Sequence, residues 1–352
     1  MPHPTPRVLL PLLLCLSNAA ASSLPSIKVI NLDRDTARLN SVLKQLTDKG
    51  VPRESIDRQP AVLGSALSEE EMVANTTALA RWFATRGMIG CHLSHRNFWQ
   101  ATLDGDADWE LVVEDDVEVE DNFWERVVAA VNELESSPEG SQWDVLLIGA
   151  IGCVNPSRYY GLNRINAFVS GGGRKPRRLT EQIHVPRRPF GTHAYVLSKR
   201  GAAKLLQAAS LASTHVDAVA WGMKDLHLYC VHPMLAHQAF DDSTIGGTQR
   251  GPEAWIPNLV IDDYTRITLR WAFNEPVVRI PFTGVCLTIG RAFLWLIAGY
   301  ALSVATGSKA LLAWHTTLTV ACFLLLRSMV QPATTTVHAT EGATEPPKPI
   351  SA

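Results

Sequence analysis

Short apolar runs alternate with helical repeats along the first half of the chain. The run Ile27–Leu32 is rich in β-branched residues and ends at a polar turn, and Thr36–Lys49 then repeats leucine and valine at helical spacing. Two further runs, Trp109–Val113 and Trp143–Ile148, are almost continuously apolar. Such runs are typical of strands that are buried on both faces.

Helical patterns separate these predicted strands. They cover Gly90–Thr102 and Asn122–Leu134. Strands that alternate with helices form α/β folds, in which helices cover a mostly parallel central sheet. The ligands of such sheets bind at the loops that follow the strands. We therefore predict an α/β fold class, with functional residues in the loops that follow its strands.

The two ends of the chain are its most apolar parts. Residues 1–23 combine a basic start, a short apolar run and small residues, which predicts a secretory signal peptide, with a short uncleaved anchor as the alternative. Phe282–Ala305 and Ala310–Leu326 are long and apolar enough to cross a bilayer, although Arg291 interrupts the first of them. Two core helices of a soluble domain are the alternative for this pair.

These segments divide the chain into parts. We expect residues 26–265 to form the globular domain, residues 282–330 to form one or two transmembrane helices, and residues 331–352 to be a disordered tail. Lys309 lies in the short connection between the apolar segments, and a cytosolic position for it leaves the globular domain lumenal. The predicted location is therefore a membrane of the secretory pathway, in the ER or Golgi.

Composition and single residues narrow the choice further. A net charge of -2, with 19% charged residues, gives the chain no electrostatic attraction to nucleic acid. No cysteine pair has zinc-finger spacing, and one disulfide among Cys91, Cys153 and Cys230 is compatible with the sequence. Asn75 begins a glycosylation sequon, which fits a lumenal domain.

Residues 174–188 are rich in Arg, Lys and Pro and follow three glycines. Such a segment is either a lid that closes over an anionic ligand or a solvated, disordered insertion. The composition favours the insertion.

Three acidic residues, Glu114, Asp115 and Asp116, directly follow the predicted strand Trp109–Val113. Neighbouring carboxylates repel one another unless a cation lies among them. Alternation along an extended chain points Glu114 and Asp116 to one side, where they can share Mn²⁺ or Mg²⁺ with phosphate oxygens. Asp115 is left for a ribose or a structural partner. An acidic turn without a ligand is the alternative.

Four separated blocks have the order and approximate spacing of one enzyme family: Ile30–Arg38, Gly90–His95, Glu114–Asp116 and Gly191–Ser198. Over about residues 26–246, the chain resembles glycosyltransferase family 25, the lipopolysaccharide and procollagen galactosyltransferase group. The resemblance implies a GT-A-type nucleotide-sugar-binding fold. It also implies inverting transfer of a sugar, commonly galactose, from a UDP-sugar to an acceptor hydroxyl, with Mn²⁺ on the diphosphate.

The resemblance also assigns roles to residues of the domain 26–265, which becomes the catalytic domain. The expected metal ligands are Glu114, Asp116 and, from late in the domain, His232. Asp217 is the expected general base, and a helix N-cap is its alternative role. The expected donor-binding residues are Asn31, Leu32, Arg34, Arg38, Gly90, Ser94, His95 and Asp115.

The predicted function is therefore a metal-dependent inverting glycosyltransferase. Its expected partners are a UDP-sugar donor, a membrane, and a glycan, glycolipid or glycoprotein acceptor, and they do not include nucleic acid. Two other functions stay open. A metal-dependent hydrolase of nucleotide sugars or phosphate esters uses the same acidic residues with water as the acceptor. A membrane-anchored binding protein keeps the GT-A fold without catalysis.

Overall fold

The computed structural model describes residues 25–153, 161–239, 256–262 and 264–331. The strands are β1 (Ile27–Asn31), β2 (Ile56–Pro60), β3 (Trp109–Glu114), β4 (Val117–Val119), β5 (Val145–Ile151), β6 (Arg177–Arg178), β7 (Ile183–Val185), β8 (Phe190–Ser198), β9 (Leu228–Val231), β10 (Ala236–Gln238), β11 (Val260–Asp262), β12 (Ile267–Thr268), β13 (Pro276–Arg279) and β14 (Cys286–Thr288). The helices are α1 (Thr36–Asp48), α2 (Glu69–Asn75), α3 (Ala78–Phe83), α4 (Arg86–Asp104), α5 (Phe123–Ser136), α6 (Gly161–Val169), α7 (Lys199–Ala208), α8 (Val216–Ala220), α9 (Leu269–Asn274), α10 (Ile289–Thr306) and α11 (Lys309–Met329).

An eight-stranded central sheet has the strand order β2-β1-β3-β8-β5-β9-β7-β6. Strand β1 pairs in parallel with β2 and β3, and β5 pairs in parallel with β9. Strand β8 lies antiparallel between β3 and β5, and β7 is antiparallel to both β9 and β6. All strands of this sheet except β8 and β7 therefore point in one direction. This confirms the predicted α/β class with a mostly parallel central sheet.

Helices cover both faces of the sheet, and the side chains of β5 alternate between two apolar clusters. Leu146 and Ile148 pack with residues of α1 and α5 on one face. Val145 and Leu147 pack with residues of α4, α7 and α8 on the other face. Every residue of β5 is buried. A strand that is covered on both faces must be apolar throughout, and this is why its sequence shows no alternation.

Each helix and strand that periodicity predicted before residue 150 is present to within a few residues, whereas β2, α2 and α3 were not predicted. The largest difference concerns the helix that was predicted to start at Gly90, which begins instead at Arg86. The hydroxyl of Thr85 caps this helix by accepting a hydrogen bond from the backbone N–H of Met88 at 3.1 Å. Gly90 is therefore an interior residue of α4 and not its first turn.

The two C-terminal apolar segments form a helical hairpin, α10–α11, that turns at Gly307. Both helices are long and apolar enough to cross a membrane, judged by length and composition. The first begins only at Ile289, because Phe282 lies in the turn between β13 and β14. The N–H of Ile289 donates to the carbonyl of Glu275 at 3.1 Å, and Met329 is buried in an apolar cluster of the globular part. Both ends of the hairpin therefore adjoin the globular part.

Positive charge lies at both ends of this hairpin. Arg291 and Arg327 lie near the globular part, and Lys309 lies beside the turn at the far end. The sequence-based orientation weighed Lys309 alone. Because the globular side carries two cations and the turn carries one, the charges of the hairpin do not favour a lumenal globular part.

The Arg-rich segment 174–188 belongs to the sheet and is not a solvated insertion. It contains β6 and β7, which pair at the edge of the sheet. The guanidinium of Arg174 donates to the carbonyls of Trp221 at 2.7 Å, Met223 at 2.6 Å and Leu226 at 3.2 Å. Composition alone suggested disorder because it cannot show that a cation has three buried carbonyl partners.

The glycosylation sequon is also part of the packed structure. Asn75 is buried, its Nδ2 donates to the carbonyl of Glu71 at 2.8 Å, and its Oδ1 accepts from Arg96 at 2.8 Å. Because Asn75 is buried, a glycan on its Nδ2 would require the packing around it to open. The sequon therefore says nothing about the compartment of the folded protein.

The three cysteines of the globular part are free thiols. Cys153 and Cys230 are buried and joined by a side-chain hydrogen bond, whereas Cys91 lies elsewhere. The predicted signal peptide at residues 1–23 lies outside the described residues, as does nearly all of the predicted tail at 331–352.

We predict that Arg174→Ala lowers the free energy of unfolding by about 2–3 kcal/mol, because it leaves three buried carbonyls without a donor. The matched control is Lys175→Ala, which removes the neighbouring exposed cation and is expected to change stability by less than about 0.5 kcal/mol. Thermal unfolding of the full chain in a neutral detergent measures both variants. Equal unfolding temperatures would contradict a structural role for Arg174.

Candidate active site

Strand β3 ends at Glu114, and the adjacent strand β8 supplies a partner for this carboxylate. The hydroxyl of Thr192 donates to Oε1 of Glu114 at 2.6 Å, and Nε2 of His95 lies 3.3 Å from the same oxygen. Burial raises the pKa of Glu114, but its interactions with His95 and Thr192 outweigh burial and hold this pKa below its usual range. Glu114 is therefore an ionised carboxylate whose side chain is only 19% exposed.

A chain of hydrogen bonds fixes the orientation of His95 on α4. Its Nδ1 lies 3.0 Å from the hydroxyl of Tyr195, and Nε1 of Trp99 donates to the same hydroxyl at 2.9 Å. Because an indole can only donate, the hydroxyl of Tyr195 is free to direct its own proton to Nδ1 of His95. A neutral imidazole in this position therefore carries its proton on Nε2, facing Glu114.

Asp116 lies beyond the turn that follows β3. Its Oδ2 accepts from Nε2 of Gln238 at 3.1 Å, and its carbonyl accepts from the N–H of Ala239 at 2.8 Å. Its Oδ1 is buried and has no hydrogen-bond partner among the described residues. Burial, followed by the charge of Glu114, raises the pKa of Asp116 to about 7. The two carboxylates therefore share a site in which a second negative charge is unfavourable.

Asp115 points away from this pair, as alternation along the chain predicts. Its oxygens accept from Nδ2 of Asn31 at 2.7 Å and from Arg38 at 3.1 Å. Its described partners are thus structural, and they join the end of β3 to the end of β1. Leu32 and Arg34 lie in the turn after β1, where the side chain of Arg34 is 58% exposed.

Gly90 and Ser94 hold α4 against the segment 62–64. A Cβ at Gly90 would lie 2.5 Å from the carbonyl of Val62. The hydroxyl of Ser94 donates to the carbonyl of Gly90 at 2.7 Å and accepts from the N–H of Val62 at 2.8 Å. The expectation that free N–H groups at a helix start meet the donor here is wrong, because both residues lie inside α4.

His232 does not join the two carboxylates in a metal-binding group. Its Nδ1 lies 2.6 Å from the hydroxyl of Tyr264, and its ring packs edge-on against His184. Among the described residues, no group of three or more His, Cys, Asp or Glu side chains is placed to hold a metal ion. The predicted set of Glu114, Asp116 and His232 is therefore not assembled there.

Asp217 lies at the start of α8, and both of its carboxylate oxygens have backbone partners. Oδ2 accepts from the N–H of Gly191 at 2.5 Å, and Oδ1 accepts from the N–H of Ala218 at 2.7 Å. The bond from Gly191 joins α8 to the start of β8. His215, and not Asp217, is the N-cap of the helix.

Sequence reasoning missed Glu275, which follows α9 beyond the predicted domain boundary at residue 265. Burial raises the pKa of Glu275 to about 7; His215 lowers this pKa, and the charges of Asp217 and Glu114 raise it further. His215 Nδ1 lies 3.8 Å from its Oε1. No motif marks Glu275, and only the tertiary fold brings it to the other acidic residues.

His193 was also missed, although it lies in one of the four blocks. It is buried on β8, and burial lowers its pKa to about 4, although the charge of Glu114 opposes this. With Glu114, Asp116, Asp217 and Glu275, the site holds mainly acidic groups; their charges act together with burial to raise the pKa of the Cys91 thiol. The site offers the carboxylates of Glu114 and Asp116 as hard oxygen ligands, and Glu275 is a further carboxyl whose pKa, like that of Asp116, lies at about 7.

Comparisons with known proteins place this site in a family. The model of Glycosyltransferase family 25 (LPS biosynthesis protein) matches residues 25–220. The chain is 25% identical over 269 residues to Procollagen galactosyltransferase 1 of Danio rerio, and the match covers 69% of this chain and 41% of that protein. It is 25% identical over 228 residues to Probable inactive glycosyltransferase 25 family member 3 of Rattus norvegicus, covering 59% and 35%.

The chain thus spans less than half the length of these relatives. A solved structure of the galactosyltransferase LgtC with donor and acceptor sugar analogs is similar at a TM-score of 0.27 and 12% identity, covering 51% of this chain and 59% of that one. A likeness this slight carries no conclusion. The family match contains all four sequence blocks and covers more than half of the chain, which therefore belongs to glycosyltransferase family 25.

Proposed function

We propose that this chain is a metal-dependent inverting glycosyltransferase that moves a sugar from a UDP-sugar to an acceptor hydroxyl. Galactose is the sugar that we propose. The observation that carries the proposal is the buried Oδ1 of Asp116, which has no hydrogen-bond partner among the described residues and lies in the site of the ionised Glu114. Family membership supports glycosyl transfer as the reaction class. The metal, the donor and the acceptor are the finer parts of the proposal.

Glu114 and Asp116 fit a divalent cation, Mn²⁺ or Mg²⁺. A buried carboxylate oxygen without a donor needs positive charge, and the mutual repulsion of the two carboxylates falls when a cation lies between them. Two protein ligands leave coordination positions for diphosphate oxygens, which is the usual arrangement for Mg²⁺. When bound, the cation would stabilise the negative charge of the departing UDP.

The donor is proposed to lie over the turn after β1. Asn31, Arg38 and Asp115 form a connected network at this turn. The exposed guanidinium of Arg34 lies 3.7 Å from a carboxylate oxygen of Asp35, and its terminal nitrogens are proposed to bind a phosphate. His95, on α4, holds the carboxylate of Glu114 in position. In this proposal, Asn31, Arg38 and His95 position the site, and Arg34 binds the donor directly.

Glu275 is a better candidate for the general base than Asp217. Both oxygens of Asp217 already accept hydrogen bonds from backbone N–H groups. Glu275 has a pKa of about 7, the range in which a base works best at neutral pH. In the proposed step, Glu275 takes the proton of the acceptor hydroxyl. The oxygen of that hydroxyl bonds to C1 of the sugar as the bond between C1 and the UDP oxygen breaks.

The acceptor is proposed to reach the site at a membrane surface. The carbonyl of Glu275 accepts from the N–H of Ile289, so the site adjoins the start of α10. With α10–α11 inserted in a bilayer, glycans on lipids or membrane proteins lie within reach. We place the protein in ER or Golgi membranes with the catalytic domain lumenal; this orientation relies on the signal-like residues 1–23, since the charges of the hairpin do not favour it.

A non-catalytic binding protein is the second candidate. It is favoured by one observation, that a relative of similar identity is named a probable inactive family member. Such a protein would bind UDP without releasing it from any UDP-sugar.

We predict that UDP release from one UDP-sugar requires Mn²⁺ and falls at least about 100-fold in Asp116→Asn, which keeps the shape of the side chain and removes its charge. The matched control is Asp121→Asn, an exposed carboxylate that follows β4. The measurement is UDP release by the full chain in detergent from a panel of UDP-sugars, with Mn²⁺ or EDTA. Release that persists in EDTA would remove the metal from the proposal, and no release with any donor would favour the binding protein.

A second prediction concerns the base. Because the base must be ionised, kcat/KM is expected to fall about tenfold per pH unit below about pH 7, following the pKa of Glu275. Glu275→Gln should lower kcat by roughly 100-fold or more while UDP and Mn²⁺ still bind. Asp217→Asn is the comparison variant, and a thermal unfolding scan checks that both are folded. If Glu275→Gln keeps its activity and the acid limb of its pH profile, Glu275 is not the base.

A further inference from the structure

A cavity of about 1120 Å³ lies on the globular part beside the C-terminal end of α11. Its walls come from residues 170–175 after α6, from α7, from residues 222–225 and from Val330 and Gln331. Among the described residues, its only acidic wall residue is Asp225. The cationic residues that line it are Arg174, Lys175, Arg177, Arg188, Lys204 and Lys224.

Most of this positive charge is not neutralised by acidic partners. Arg177 pairs with Glu139, and Lys204 lies 2.7 Å from a carboxylate oxygen of Asp144. The remaining four cations have no ion pair among the described residues. Against them the cavity offers the single carboxylate of Asp225, so its walls attract anions.

Two of the four cations are guanidinium groups held close together inside the protein. Arg188 is 3% exposed, its terminal nitrogen donates to the carbonyl of Ala218 at 2.7 Å, and its Nε is buried without a partner among the described residues. Burial and the charge of Arg188 lower the pKa of Arg174 to about 10. Burial also lowers the pKa of Arg188, and the charges of Asp225 on Arg174 and of Asp217 on Arg188 oppose these shifts only in part. Two neighbouring buried cations that form no ion pair among the described residues are unfavourable, and a bound anion would offset this cost.

The cavity lies where the proposed membrane hairpin meets the globular part. A Cβ at Gly171 would lie 2.5 Å from Nε of Arg327, so the cavity wall touches the last turns of α11. Helix α6, which leads into this wall, packs Phe168 against Phe323 of α11 with ring centroids 5.6 Å apart. Ile165 and Phe168 are 61% and 72% exposed. Exposed apolar side chains beside cations are typical of a surface that lies at a membrane interface.

We infer that this cavity binds the phosphate-bearing headgroup of an anionic phospholipid. The four unpaired cations contact the phosphate, and the acyl chains lie along α11 and the exposed side chains of Ile165 and Phe168. A soluble phosphate shares the headgroup chemistry but makes no use of the apolar surface. The inference rests on the proposed membrane insertion of α10–α11. It assigns the cavity a role in holding the catalytic domain at a fixed angle to the bilayer.

The test measures thermal unfolding of the full chain in a neutral detergent, where the hairpin is covered by the micelle whether or not the enzyme is active. The added probes are dihexanoyl phosphatidylglycerol, dihexanoyl phosphatidylcholine and inorganic phosphate. We expect phosphatidylglycerol to raise the unfolding temperature in a saturable way and the other two probes to leave it unchanged, because a ligand of the folded state stabilises it.

Lys175→Gln/Lys224→Gln is the variant of choice, since both lysines are exposed and lie outside the catalytic site. Loss of two cations at a membrane surface should weaken the apparent affinity for phosphatidylglycerol about tenfold or more. Lys44→Gln/Lys49→Gln removes the same charge near the C-terminal end of α1, away from the cavity, and is expected to bind like the wild type.

Three results would overturn the inference: no stabilisation by phosphatidylglycerol, equal weakening in both double variants, or equal stabilisation by inorganic phosphate. The last would make the cavity a site for soluble phosphates. Flotation of the full chain with neutral vesicles tests membrane insertion separately. Because no arm of the experiment measures sugar transfer, an inactive protein and an empty cavity give different results.

Discussion

The repulsion between Glu114 and Asp116 is the constraint on which this end of the molecule depends. Two largely buried carboxylates in one site raise the free energy of the fold, and the surrounding elements offset the cost unequally. Thr192 and His95 stabilise the charge of Glu114, whereas Asp116 keeps one buried oxygen without a partner among the described residues. Under the proposed function, a bound cation would offset the remaining repulsion and contact that oxygen of Asp116.

Strand β8 makes this arrangement possible. It runs antiparallel between β3 and β5 in an otherwise mostly parallel region, so its first residues lie beside the end of β3. From this strand, Thr192 donates to Glu114, and Tyr195 orients His95. The charge of Glu114 also acts on His193. The four blocks of sequence that identify the family therefore describe one place: the ends of β1 and β3, the helix α4 behind them and the strand β8 between them.

The C-terminal part is joined to the same place. The charges of Asp217 and Glu114 act on the side chain of Glu275, and its carbonyl accepts from the N–H of Ile289, the first residue of α10. The segment after residue 265 thus contributes to the site as well as to the hairpin. The basic cavity beside the C-terminal end of α11 is a second region where the globular part adjoins the hairpin. Under the proposed membrane insertion of α10–α11, these two regions would give the site a defined position relative to the bilayer.

Several helices and strands of the α/β domain and the acidic triplet could be predicted from the sequence, because periodicity and the side-chain alternation of an extended chain are local properties. It could also locate the family blocks. It could not show that Glu275 reaches the site, that Arg174 binds three carbonyls or that Asn75 is buried, since each of these depends on contacts between distant segments. Gly90 and Ser94 were assigned to the donor for the same reason: their partners at residues 62–64 are invisible in the sequence. The surroundings of these residues depend on the tertiary structure, because burial and hydrogen-bond partners are set by packing and not by neighbours in the chain.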